Sequence, residues 1–170
     1  MIDPQEFKQA LGRFASGVTV VTVHSEGQDH GMTASAFSSL SLEPPLVLVC
    51  IQNKNRSYGL IEQSGSFAVS ILARDQEALS NRFAGGFIDD EGRWQRWPED
   101  KDKFADLSLT RGTSSGAPML DGALAQLDCS LEAIVPGGDH GIFVGRVEGL
   151  QLSEDATPLL YFGGRYGDFA

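Results

Sequence analysis

Residues Val18-Thr19-Val20-Val21-Thr22-Val23 are β-branched without exception. Such side chains crowd the turns of a helix but fit a pleated surface, so the run predicts a strand. It is the first of a series. Gly31 to Ser35, Leu46 to Ile51, Phe67 to Leu72, Ala123 to Ala133, Gly141 to Leu152 and Pro158 to Phe162 are further strand candidates. Turn chemistry separates them at Ser25 to Asp29, Pro44-Pro45, Asp121-Gly122 and Pro136-Gly137-Gly138-Asp139. Short strands joined this way pair antiparallel. In a chain of 170 residues with 20 glycines, the arrangement that removes exposed edges is a closed or nearly closed barrel. The expectation is a mainly β, antiparallel fold in a single domain over 1–170.

A few short helices flank the strands. Asp3-Pro4-Gln5-Glu6 reads as an N-cap, a proline in the first turn and the far end of a capping box. Phe7, Ala10, Leu11 and Phe14 then form one apolar stripe, with Gly17 placed to end the helix, so this helix should pack on something. Ser57 to Gln63 and Asp75 to Ala84 are two more helical segments, while 87–103 holds Trp94, Trp97, Pro98 and many charges without periodicity and reads as an excursion loop.

The net charge is −10 and no basic block stands out, which argues against nucleic acid and anionic membrane as partners. Cys50 and Cys129 lie in or beside apolar runs and read as buried free thiols. Leu46 to Ile51 is far shorter than the ~18 residues of a membrane span, and the first residues lack a leader's charge and apolar pattern, so a cytoplasmic protein is expected. The phosphate-loop, dinucleotide-fold, zinc-protease and nucleophile-elbow signatures are missing. His24, His30 and His140 have no spacing that suggests a metal site.

Two segments point to a ligand. In Thr33-Ala34-Ser35-Ala36-Phe37-Ser38-Ser39-Leu40-Ser41, five of nine residues carry hydroxyls. Such a stretch either caps its own backbone at a β corner or cradles a flat polar ring that small side chains let approach. Asn53-Lys54-Asn55-Arg56-Ser57 sets two cations at the start of a helix, with Ser57 as N-cap. That is either a solvated basic turn or a phosphate site. Together they suggest a ligand with a hydrogen-bonding ring at one end and a phosphate at the other.

The run from Asp3-Pro4 through Gly12-Arg13-Phe14-Ala15-Ser16-Gly17-Val18, then Gly31-Met32-Thr33-Ala34-Ser35-Ala36-Phe37 and Ser39-Leu40-Ser41-Leu42-Glu43-Pro44-Pro45-Leu46, resembles the short-chain flavin reductases. So do Leu79-Ser80-Asn81-Arg82-Phe83-Ala84-Gly85, Gly116-Ala117-Pro118-Met119-Leu120-Asp121-Gly122, Asp139-His140-Gly141-Ile142-Phe143-Val144-Gly145 and Pro158 to Tyr166. The resemblance covers almost the whole chain in family order and departs at 87–103. It implies a homodimeric, FMN-binding split β-barrel that passes a hydride from NADH, or NADPH, to FMN or FAD. A separate monooxygenase component would receive the reduced flavin.

By the same resemblance, Thr33, Ala34, Ser35, Ala36, Phe37, Ser39 and Leu40 line the flavin ring and ribityl chain. Asn53, Lys54 and Ser57 meet its phosphate, and Arg82 and Phe83 close over it. His140 and Tyr166 match positions associated with the nicotinamide nucleotide. On the residues alone, His140 is equally a turn histidine, Arg82 a helix-surface charge and Phe83 a core residue. No side chain is needed as acid or base, because the hydride passes directly between cofactors. No arginine cluster advertises a 2′-phosphate site, although Arg56, Arg93 and Arg96 could contribute, so the lean is to NADH. Two other classes fit the sequence: an FMN-holding electron-transfer flavoprotein that does not use NAD(P)H, and a carrier barrel without redox chemistry.

Overall fold

The computed structural model describes residues 2–154 and 157–167. Along the chain run α1 (Pro4–Leu11), β1 (Ser16–Gly17), β2 (Thr19–Ser25), β3 (Gln28–Ala34), β4 (Phe37–Leu42), β5 (Pro45–Gln52), α2 (Arg56–Ser64) and β6 (Ser66–Ile71). A 3₁₀ turn (Arg74–Gln76) leads into α3 (Glu77–Ala84), followed by β7 (Gly86–Ile88), β8 (Trp94–Arg96), β9 (Leu109–Arg111) and β10 (Pro118–Leu120). The chain ends in β11 (Ala125–Gly137), β12 (His140–Leu152), β13 (Leu160–Phe162) and β14 (Arg165–Gly167).

Seven strands form the main sheet in the order β3-β2-β6-β11-β12-β5-β4, every neighbour antiparallel. Its two edges, β3 and β4, are consecutive in the chain and separated only by Ser35 and Ala36. Three Cα steps reach about 11 Å. The edges of a flat sheet of this width lie about 29 Å apart, at ~4.8 Å per strand. The sheet must therefore roll until its edges approach at that corner. The edges do not pair, and no sheet among the described residues closes into a barrel.

The roll explains why Val18 to Val23 lacks polar alternation: β2 is buried on both faces. Val21 and Val23 join Val49, Ile51, Ile61, Phe67, Val69 and Phe143 in one core. Val18 and Val20 join Leu72, Phe83, Phe104, Leu120 and Leu159 in the other. Burying side chains of this size contributes about 1.5–3 kcal/mol each. Helix α2 docks through Ile61, and Tyr58 meets the Phe143 ring edge-on at 4.8 Å. Gly145 allows Phe67 to cross β12: a Cβ there would lie 2.4 Å from the Phe67 ring.

Several boundaries differ from the sequence reading. Helix α1 opens as expected, Asp3 accepting from the Gln5 and Glu6 N–H groups at 2.7 and 3.1 Å. It stops at Leu11, where the Gly12 carbonyl accepts from Gly163 of the β13–β14 turn. No residue of its stripe is buried among the described residues, and Phe7, Leu11 and Phe14 are 54, 57 and 80% exposed. The β2–β3 connection is only Glu26-Gly27, both at positive φ, the geometry of a tight two-residue hairpin. The supposed excursion loop contains the β7–β8 hairpin, tied by Asp89, which accepts from Arg93 and Gln95 side chains at 3.2 and 2.8 Å.

Candidate functional site

The hydroxyl-rich segment is the corner at which the chain crosses from one sheet edge to the other. Its inner end is fixed by the protein itself. Thr33 Oγ1 donates to the Ser80 carbonyl of α3 at 2.6 Å, and Thr19 Oγ1 donates to the carbonyl of buried Ala34 at 2.7 Å. Beyond it, the Phe37 N–H donates to the Ser35 carbonyl and the Cys50 N–H to the Ala36 carbonyl. Ser35, Ala36, Ser39 and Leu40 are exposed and Phe37 is half-buried. The hydroxyls of Ser35 and Ser39 have no protein partner among the described residues.

This corner forms one wall of a cleft of about 590 Å³, within the range of small-molecule sites. Ser35, Ala36 and Phe37 face Leu48 and Cys50 of β5, with Phe14 near the end of α1 at the mouth. Cys50 is thus half-buried and cleft-lining, not a core thiol. Cys129 is buried as expected, its thiol pushed up to about 12 by burial and by Asp128 and Glu148.

Two residues beyond Cys50 the strand β5 ends at Gln52, and the turn through Asn53 and Lys54 leads to the start of α2. Asn55, not Ser57, is the N-cap: its Oδ1 accepts from the Ser57 N–H at 2.9 Å. The Asn cap fixes the turn, which leaves Ser57 one residue inside the helix. There it is 1% exposed and its Oγ has no hydrogen-bond partner among the described residues. Asn53 holds the β11–β12 turn, its Nδ2 donating to the Gly138 carbonyl at 3.2 Å and its N–H to the Asp139 carbonyl at 3.0 Å.

The same contacts bring His140 to this turn, where it pairs with Gln52 across the sheet. Its Nδ1 lies 2.7 Å from Asp139, whose carboxyl is held below its usual range chiefly by that hydrogen bond. Tyr166 sits elsewhere. Its hydroxyl shares a 2.8 Å hydrogen bond with Ser80 and donates to Asn81 at 3.2 Å, and burial pushes its pKa up. Ser80 therefore joins Tyr166 to Thr33. Among the described residues, no hydrogen bond or ring contact joins Tyr166 to His140.

Arg82 and Phe83 do not form a flap. Phe83 is 2% exposed and packs on Phe104 at 5.0 Å. Its ring is part of the second core, beneath Gly31, and is not free to cover a ligand. Arg82 lies over the Trp97 ring at 4.4 Å and donates to the Ala105 carbonyl at 2.8 Å, pinning the segment that follows β8. The sequence did not point to Cys50, Asn55 or Ser80. An unbroken apolar run hides which face Cys50 takes, but Asn55, two residues before Ser57, was a readable cap. No cluster that could hold a metal ion is present among the described residues, and no described helix is long and apolar enough to cross a membrane.

The sequence profile of the flavin reductase like domain matches residues 11–170. The NADH-dependent flavin reductase of Rhodococcus sp is 42% identical over 171 residues, covering 97% of this chain and 86% of that protein. The reductase component of 4-hydroxyphenylacetate 3-monooxygenase from Thermus thermophilus is 43% identical over 162 residues, covering 93 and 91%. Among solved structures, the Streptomyces globisporus NADH:FAD oxidoreductase SgcE6, in complex with NAD and FAD fragments, superposes with a TM-score of 0.86 at 35% identity, covering 100 and 96%. A rolled antiparallel sheet with a cleft at its edge-to-edge corner, matched from residue 11 to the end, makes this chain a member of the flavin reductase-like family.

Proposed function

We propose that the protein is an NAD(P)H-dependent flavin reductase, passing a hydride from NADH to FMN or FAD and supplying the reduced flavin to a separate monooxygenase component. The carrying observation is the cleft at the Ser35-Ala36 corner, lined by Leu48 and Cys50 of β5, with Lys54 in the turn that joins the end of β5 at Gln52 to α2. A ligand with a tricyclic ring in the cleft would direct a phosphorylated five-carbon tail along β5 towards that turn. The reductase names of the relatives support the reading, as does Ser57 Oγ, a buried hydroxyl without a partner among the described residues.

A bound flavin supplies the hydride-accepting ring. The chain supplies position. Ser35 and Ala36 are small enough for the ring to approach the backbone, with Phe37, Ser39 and Leu40 continuing the wall. Thr33 and Ala34 act from behind it, because Ser80 and Thr19 fix that end of β3. Asn53, Lys54 and Ser57 hold the phosphate. His140, beside that turn, and Tyr166, held by Ser80 and Asn81, orient the nicotinamide nucleotide. Arg82 and Phe83 support the β3 side of the site indirectly, one from the loop and one from the core.

In this reading the whole chain is one domain, the rolled sheet a split barrel and the protein a cytoplasmic homodimer. The uncovered α1 stripe supports the dimer, since Phe14 and Leu11 line the cleft mouth where a second copy would complete it. The test is NADH and NADPH consumption with FMN or FAD added, together with mass in solution. Turnover of a dimer is expected. A protein that holds FMN but oxidises neither nicotinamide is an electron-transfer flavoprotein instead, and one that never binds flavin is neither.

A further inference from the structure

The hairpin of β13 and β14 lies outside the seven-stranded sheet, in a small sheet with β1. It nevertheless lines the cleft, through Tyr161 and Gly164. Tyr161 and Tyr166 stand directly opposite each other in its register, which puts both side chains on one face. Their rings meet at 5.4 Å. Among the described residues, the side chains of this hairpin hydrogen-bond to the rest of the chain only through the Tyr166 hydroxyl. Whatever holds Tyr166 therefore also steadies Tyr161 at the cleft.

That hold has a direction. Asn81 Oδ1 can only accept, so the Tyr166 hydroxyl donates to it at 3.2 Å and is left to accept from the Ser80 hydroxyl at 2.8 Å. Ser80 and Asn81 are both buried in α3, withdrawn from competing water. The Tyr166 proton is spent inside the protein, and none remains to offer a ligand. On its other side the Ser80 carbonyl accepts from Thr33 Oγ1 at 2.6 Å, two residues before Ser35. One buried serine thus ties two parts of the cleft wall together, the corner by its carbonyl and the hairpin by its hydroxyl.

We propose that Ser80 is a positioning residue that latches the β13–β14 hairpin to α3, and so sets how far Tyr161 and Tyr166 stand from the Ser35-Ala36 corner. Its meaning for catalysis rests on the flavin reductase reading, in which the flavin ring lies against the corner and Tyr166 orients the nicotinamide nucleotide. Hydride transfer needs the two rings at a set distance and angle. A loosened hairpin therefore costs alignment of the nucleotide, while the flavin keeps its own wall.

The test uses the full chain and reads the cleft in two ways. Cys50 lines the cleft, whereas Cys129 is buried. The rate at which iodoacetamide alkylates Cys50, followed by peptide mass, therefore reports the stand-off of the hairpin without any turnover. In the flavin-free protein Ser80→Ala should raise that rate about 3- to 10-fold, the worth of one buried hydrogen bond. It should raise KM for NADH by a similar factor and leave Kd for FMN within about twofold. Tyr166→Phe, which keeps the ring and deletes the partner hydroxyl, should do the same. Adding Ser80→Ala to it should change neither reading by more than about twofold, because the bond is already gone. Unchanged Cys50 reactivity with a lowered Tm makes Ser80 a packing residue and overturns the proposal. So do effects that multiply in the double variant, or faster alkylation with KM for NADH unchanged. If Ser80→Ala does not fold, wild-type Cys50 reactivity in Tyr166→Phe overturns it alone. A wild type that neither binds FMN nor oxidises NADH removes the reductase reading, and Cys50 reactivity still decides whether Ser80 latches the hairpin.

Discussion

Ser57→Ala should make the flavin-free protein more stable and the flavin complex weaker. Ser57 Oγ lies in the first turn of α2, 1% exposed and without a partner. An unpartnered buried hydroxyl costs about 1–3 kcal/mol. Its removal returns part of that, roughly 1 kcal/mol once the lost oxygen contacts are counted, or about 2–4 °C in Tm for a chain of this size. With FMN bound, the same substitution deletes a hydrogen bond to a charged phosphate oxygen, about 1.5–3 kcal/mol or roughly 10- to 150-fold in Kd. Riboflavin, which has no phosphate, should bind as before. Thermal unfolding of the flavin-free protein and quenching titrations with both flavins read the two effects separately. A fall in Tm would show that the hydroxyl is satisfied in solution. A higher Tm with unchanged FMN affinity would remove Ser57 from the phosphate site, as would equal losses for FMN and riboflavin.

Three further outcomes are expected. His140→Ala should raise KM for NADH several-fold while changing flavin Kd by less than about twofold, and the reverse pattern takes His140 out of the nicotinamide role. Acid should destabilise the fold through His30, whose pKa falls from 6.5 to about 4 on folding, chiefly by burial and then by the charges of Arg56 and Lys103. The unfolded chain protonates first, so stability is full above pH 6.5 and declines as pH falls towards 4. The partly exposed ring limits the loss to roughly 1–2 kcal/mol, and His30→Gln should flatten that part of the pH–stability curve. Gly145→Ala would place a methyl 2.4 Å from the Phe67 ring; overpacking of about 1–3 kcal/mol should lower Tm with little change in flavin affinity.

Strand β2 was legible because β-branched residues have few alternatives, and the Asp3 cap because its side chain acts on N–H groups two and three residues away; β4, whose residues read as a hydroxyl-rich corner, and the short β9 and β10 were not read as strands. The roll of the sheet was legible only in outline. That β3 and β4 lie on opposite edges depends on β6, β11, β12 and β5 inserting between them, a matter of long-range pairing that no local pattern carries. The β7–β8 hairpin escaped notice because side chains converging on Asp89 stabilise it instead of an apolar alternation. Phe83 is buried in the second core and Arg82 is engaged by Trp97 and the Ala105 carbonyl. On a short helix with apolar contacts on one side, Phe83 was already a candidate for the core, and what decided it was Phe104, distant in sequence. The corner from Thr33 to Leu40 was visible as a concentration of hydroxyls. What composition could not show is that the Thr33 hydroxyl is committed to Ser80 while the Ser35 hydroxyl has no partner among the described residues.

The central claim is that the Ser35-Ala36 corner receives a flavin ring whose phosphate ends at Lys54 and Ser57. A crystal structure of the protein grown with FMN tests it most directly. The ring should lie against Ser35, Ala36 and Phe37, with phosphate oxygens within hydrogen-bond distance of Ser57 Oγ. FMN bound at another surface, or a corner cleft filled by Phe14 and Leu11 of the protein's own N-terminal segment while FMN is present, would contradict it.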